Sequence, residues 1–188
     1  VRHELAAGGQ PRRVALSPDG RQVLALAWNA DERHMSASLW EDGQLVRRSV
    51  HSSPEMGWAD AAFAPSGERA YWGWNDGRLR ALEIPGGREL FDVRVHAQDL
   101  RCLAVEPGGE WLVSAGHGQD PDLAQVDAQS GALLRRFGSE GEVAAEILFL
   151  GRGPAFAVRS VTGRLTVWSG PEAERPLLLE AGEPVQGL

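Results

Sequence analysis

The chain has 188 residues, 43% of them hydrophobic and 24% charged, with a formal net charge of −7. This balance excludes a disordered polymer, and the negative charge argues against nucleic acid or an anionic membrane surface, whose phosphates call for a basic face. The 23 glycines and 11 prolines, with no apolar run near the roughly 20 residues that cross a bilayer, describe a globular chain that turns often and does not insert in a membrane.

Short loops of one kind recur along the chain. Ser17-Pro18-Asp19-Gly20, Ala64-Pro65-Ser66-Gly67, Glu106-Pro107-Gly108-Gly109 and Leu150-Gly151-Arg152-Gly153 each separate two apolar runs. Their last glycines stand 47, 42 and 44 residues apart. A period in the forties made of strands and turns predicts an all-β array of about four four-stranded antiparallel blades, as in a β-propeller. In the first repeat the strands are read at Arg13–Leu16, Gln22–Ala27, Ala37–Glu41 and Leu45–Val50, with a hairpin turn at Asp42-Gly43. The second gives Ala61–Ala64, Ala70–Asn75, Arg78–Ile84 and Glu89–Val95. The third gives Arg101–Glu106, Trp111–Ala115, Leu123–Asp127 and Ala132–Phe137, and the fourth Glu146–Leu150, Ala155–Arg159, Arg164–Trp168 and Leu177–Glu180. One domain, 1–188, thus holds repeats at about 11–51, 58–96, 100–138 and 143–182. One such sheet cannot bury both of its faces alone. Stacked sheets bury each other, and the continuous apolar run Val23-Leu24-Ala25-Leu26-Ala27 suits a strand held between two neighbours.

The turn Ser17-Pro18-Asp19-Gly20, the segments Leu39-Trp40-Glu41 and Val167-Trp168-Ser169, and His51 and His96 ahead of the next repeat resemble the WD-repeat propellers. In that family a strand-three tryptophan, a loop histidine, a strand-two hydroxyl and a turn aspartate form a buried hydrogen-bond network. The resemblance implies structural roles for Trp40, His51, Asp76, His96, Ser114 and Trp168. The pattern is worn: Ala25, Trp72 and Val158 stand where the hydroxyl is expected, and Ile84 and Asp127 near the tryptophan position. Val126-Asp127-Ala128-Gln129-Ser130-Gly131-Ala132-Leu133 also resembles the quinoprotein-type propellers, in one repeat only.

The ends share one phase. Ala6-Ala7-Gly8-Gly9-Gln10-Pro11 parallels Glu180-Ala181-Gly182-Glu183-Pro184-Val185, so four blades are followed by the start of a fifth. The expectation is an incomplete propeller, completed by further blades or another chain, with a compact four-blade closure as the alternative. Cys102 stands alone and forms no internal disulfide, which points to a reducing, cytoplasmic setting. All 19 basic residues are arginine, a composition that fits a high-GC, bacterial source.

For chemistry, no catalytic residue, cofactor or metal site is expected. His117 with Asp120 and Asp122 has metal-ligand character, but a polar turn accounts for it better. Cys102 lies in an apolar run and reads as an inert buried thiol. Trp72 and Trp74 alternate onto one sheet face and read as core; at a rim they would anchor a partner. Trp28 and Trp58, nearer loops, are the better candidates for exposure. The pairs Arg12-Arg13, Arg47-Arg48 and Arg135-Arg136 read as solvated strand edges, where charge deters pairing, with use by an acidic partner segment as the alternative. The function expected is a non-catalytic interaction scaffold or sensor that holds protein partners or serves a fused effector domain. The alternative is the propeller portion of an enzyme, either a quinoprotein-like oxidoreductase or the gate of a hydrolase.

Overall fold

A computed structural model describes residues 6–53, 56–117, 123–138, 141–170 and 177–179. These residues form sixteen strands in four antiparallel sheets, and each sheet is a simple meander of four consecutive strands. The first blade holds β1 (Gln10–Leu16), β2 (Gln22–Asn29), β3 (His34–Glu41) and β4 (Gln44–Ser52). The second holds β5 (Asp60–Phe63), β6 (Arg69–Gly73), β7 (Arg78–Glu83) and β8 (Glu89–Arg94). The third holds β9 (Leu100–Val105), β10 (Trp111–Gly116), β11 (Leu123–Asp127) and β12 (Leu133–Phe137). The fourth holds β13 (Ala144–Phe149), β14 (Phe156–Ser160), β15 (Leu165–Trp168) and β16 (Leu177–Leu179). The fold is all-β and propeller-like, without a closed barrel. No helix of the described residues is long and apolar enough to cross a membrane.

The recurring loops are the hinges of this repeat. Each is closed by the same backbone bond, from Ser17, Ala64, Glu106 or Leu150 N–H to the carbonyl five residues on, at 2.8 to 3.0 Å. In the first three loops the final glycine takes a left-handed conformation, with φ of 74°, 78° and 77° at Gly20, Gly67 and Gly109. The fourth keeps the length but turns at Gly151 (φ 74°), not at the expected Gly153. The backbone needs one left-handed residue in the turn, and the glycine-rich sequence supplies two candidates.

Three apolar cores join the four sheets in sequence order. Between the first and second blades lie Leu24, Leu26, Met35 and Leu39 against Phe63, Trp72, Trp74 and Ile84. Tyr71, Leu79, Leu100, Leu103, Leu112 and Val126 fill the second interface. Trp111, Phe137, Phe156 and Trp168 dominate the third, with ring centroids 5.2 Å apart for Phe137 and Trp168. Among the described residues no comparable core joins the fourth blade to the first. The first strands β1, β5, β9 and β13 pack side by side around a common cleft.

Candidate functional site

The cleft has a volume of about 320 Å³ and is walled by the first-strand region of every blade, with Arg159 of β14 added. Because the loops fix the phase of each repeat, its lining falls at matched positions of the first strands. Arg12, Ala59, Arg101 and Ala145 share one position, and Arg13, Asp60, Cys102 and Glu146 share the next. The pairing register skips Arg12 in β1, Arg101 in β9 and Ala145 in β13, so each of these is the extra residue of a β-bulge. A bulge bends its strand and re-aims a side chain, and here it recurs where the strands face the cleft.

Two carboxylates in the cleft are already committed. Asp60, 6% exposed, accepts the backbone N–H groups of Ala61 and Leu103 at 2.8 Å each, and its Oδ1 lies 2.6 Å from Arg13 Nε. A single side chain thus ties the first, second and third blades together. Burial pushes its carboxyl above the ordinary value, while Arg13 and the two amides pull the other way. Glu146 accepts from Arg159 Nε at 3.1 Å.

Arg101 is held differently. Its guanidinium carbon stacks 3.9 Å from the centroid of the Trp58 ring, and its Nε is buried without a hydrogen-bond partner among the described residues. Burial holds it below its ordinary value, with Cys102 and Asp99 acting in the opposite direction. The Cys102 thiol in the same wall is pushed up to about 12, first by burial and then by the Asp60 charge, so it stays protonated.

The structure places the other sequence candidates as follows. Trp58 is 46% exposed at the cleft. Trp28 is half-buried against the first interface. Trp72 and Trp74 are 0% and 1% exposed inside that interface, so neither reaches a partner: alternation put both rings on the face that the first blade covers. Trp40 and Trp168 lie buried on β3 and β15. His96 and Ser114 come together, with Nε2 2.9 Å from Oγ, both buried. His51 instead meets the Trp74 ring edge-on at 4.9 Å. Asp76 accepts from the Arg78 amide at 3.0 Å and pairs with Arg80, which is 2% exposed. Arg80 also lies 3.2 Å from Asp92 and stacks over Trp74. His117 lies 3.9 Å from Asp99, while Asp120 and Asp122 fall outside the described residues, and among those described no three His, Cys, Asp or Glu side chains gather to hold a metal. The arginine pairs are more than solvated edges. Arg13 binds Asp60, Arg48 Nε donates to Ser38 Oγ at 2.9 Å, and Arg136 donates to the Val95 carbonyl.

Asp60, Arg80 and Arg101 escape a reading made one repeat at a time. For Asp60 and Arg101 the signal is charge at two adjacent positions of the first-strand region, which shows only when the four repeats are aligned on their loops; Arg80, on β7, has no such signal.

No protein-family model matches the chain. It is 31% identical over 158 residues to "Centriole proteome protein 16" of Chlamydomonas reinhardtii, covering 83% of this chain and 7% of that protein. It is 23% identical over 96 residues to "WD40 repeat protein poxJ" of Penicillium oxalicum, covering 46% of this chain and 28% of that one. The chain therefore spans a small part of each relative. The WD40 similarity and the four sheets fit a propeller-like fold. Both relatives are eukaryotic, so neither supports the expected bacterial source, and neither supports the quinoprotein kinship.

Proposed function

We propose that this chain is a non-catalytic, repeat-based interaction module whose end blades each receive a further blade, from the same polypeptide or from another chain. The observation that carries this reading is the exposure of side chains whose repeat equivalents pack against a neighbouring blade. Leu16 corresponds to Phe63, Val105 and Phe149, each packed against the preceding blade, yet Leu16 is 63% exposed. Val14 corresponds to the buried Ala61, Leu103 and Ile147 and is 53% exposed. At the other end Leu148 corresponds to Ala15, Ala62 and Ala104, which pack on the following blade, and it is 56% exposed. Apolar faces of this kind mark interaction surfaces. Relatives named for the centriole proteome and for WD40 repeats support an interaction role over an enzymatic one.

The test is photo-crosslinking in the source cells, with benzoylphenylalanine at position 16 or 148 of the gene product as the cell makes it. A crosslink from each position to another blade or to a partner protein is expected. Two positions that yield no adduct, while the protein remains folded, would overturn the reading.

A further inference from the structure

We infer that the cleft between β1, β5, β9 and β13 binds an acidic peptide segment of a partner, with Arg12 and Arg101 as the carboxylate receptors and Trp58 as the shelf beside them. The inference rests on the interaction reading above but concerns a different surface.

Four arginines line the cleft against two carboxylates, in a chain whose net charge is −7. Arg13 is used by Asp60 and Arg159 by Glu146. Arg12 and Arg101 have no carboxylate within ion-pair distance among the described residues, so the cleft keeps a local positive excess. For Arg101 this is costly, because its Nε is buried with no hydrogen bond to replace the lost water. The Trp58 face offsets part of that cost. Stacking occupies the flat of the guanidinium, which leaves its in-plane Nη donors for a planar, bidentate acceptor, and a carboxylate matches that fork. Both receptor residues sit on bulges at the same position of β1 and β9, so the sheets hold them without help from a flexible loop.

The size and rim of the cleft favour a peptide over a free metabolite. About 320 Å³ is near the lower limit for small-molecule pockets and accommodates one or two side chains. Trp58 lines it and is 46% exposed, so an apolar surface continues outward beside the charged floor. A chain carrying acidic side chains next to an apolar one uses both features, and a small dicarboxylate uses only the floor.

The test is calorimetric titration of the purified chain with a blocked peptide of four glutamates around a central leucine, in parallel with free glutarate, at low salt. Peptide binding that weakens as salt rises is expected, with glutarate at least about tenfold weaker. Arg12→Gln and Arg101→Gln should each lower peptide affinity about tenfold, the scale of one lost charge-assisted hydrogen-bond pair. Arg101→Lys should fail to restore it, because a point charge does not reproduce the stacked fork. Arg88→Gln, whose side chain pairs with Glu83 away from the cleft, should bind as the wild type does. Arg12 is exposed on β1, so its variant keeps the test valid if Arg101→Gln unfolds. Absence of peptide binding would overturn the inference while leaving the end-face crosslinks untouched. Glutarate binding as tightly as the peptide, or peptide binding that survives both glutamine variants, would overturn it equally.

Discussion

Asp60→Asn tests whether one buried carboxylate fastens three blades. The wild-type side chain accepts two backbone amides, from Ala61 in its own strand and from Leu103 in the next blade, and faces Arg13 of the preceding one. Asparagine keeps one carbonyl oxygen, so one amide keeps an acceptor and the other meets an NH₂ donor. A hydrogen bond to a charged group contributes about 1.5–3 kcal/mol, and a buried amide left without a partner costs about 1–3 kcal/mol. The relief of burying a neutral group returns part of this, and the half-exposed Arg13 pair adds little. The net expectation is a loss of about 2 kcal/mol at neutral pH. Urea unfolding followed by tryptophan fluorescence reads it as a midpoint lower by about 1 M at a slope near 2 kcal/mol/M, with the slope unchanged. The pH dependence adds a second reading. Burial raises the Asp60 carboxyl above 3.8, so its protonation stabilises the fold fully below that value, and this contribution is lost as pH rises through the folded value. Asparagine does not titrate, so the gap between the two proteins should widen in acid. A loss below about 0.5 kcal/mol at every pH would refute the reasoning and show that desolvation cancels the network.

Gly77→Ala should cost about 3 kcal/mol or more in the same assay, because the residue has φ +69° and a Cβ would lie 2.3 Å from the His96 carbonyl oxygen. Gly86→Ala, at φ +95° in open space, should cost only about 1 kcal/mol. Burial, and then Arg80, hold the His51 imidazole below its ordinary value of 6.5, so wild-type stability should fall as pH drops from there through the folded value. His51→Phe should flatten this part of the stability curve. Cys102, 4% exposed and with its thiol pushed up to about 12, should react with a thiol reagent only at the rate of unfolding; prompt labelling of the native chain at neutral pH would contradict its burial.

The frame of this fold was legible because its signal is local. A loop of fixed length between two apolar runs needs a left-handed residue, and glycine announces it at positions 20, 67 and 109. The cleft was not legible, since its lining is gathered from all four blades. Read along the chain, β5 begins at the apolar Ala61, which leaves Asp60 in a loop; its bond to Leu103 spans 43 residues and has no local signature. Arg101 shows the same limit from another side. Charge at the start of a strand reads as a solvated edge, and only the bulge and the Trp58 ring make it a half-buried cation. Trp72 and Trp74 share a face by simple alternation, but which face the neighbouring blade covers follows from packing alone.

The wear in the WD-like motif has a physical counterpart, because the polar contacts differ from one interface to the next. The first uses Arg80 between Asp76, Asp92 and the Trp74 ring. The second uses His96 with Ser114, and sends both the Tyr71 hydroxyl and Arg69 to the Ala128 carbonyl at 2.9 Å. The third is held by aromatic packing among Trp111, Phe137, Phe149, Phe156 and Trp168. Buried polar groups need partners, but nothing requires the same partners in every blade. Four identical repeats with arginine at the Arg13 position would crowd like charges around one cleft. Divergence lets Arg13 face Asp60 and Glu146 face Arg159, and it leaves Arg12 and Arg101 to carry charge at alternate blades. The same loss of repetition that blurs the family signature is therefore what permits an asymmetric, cationic cleft at the centre of an acidic chain.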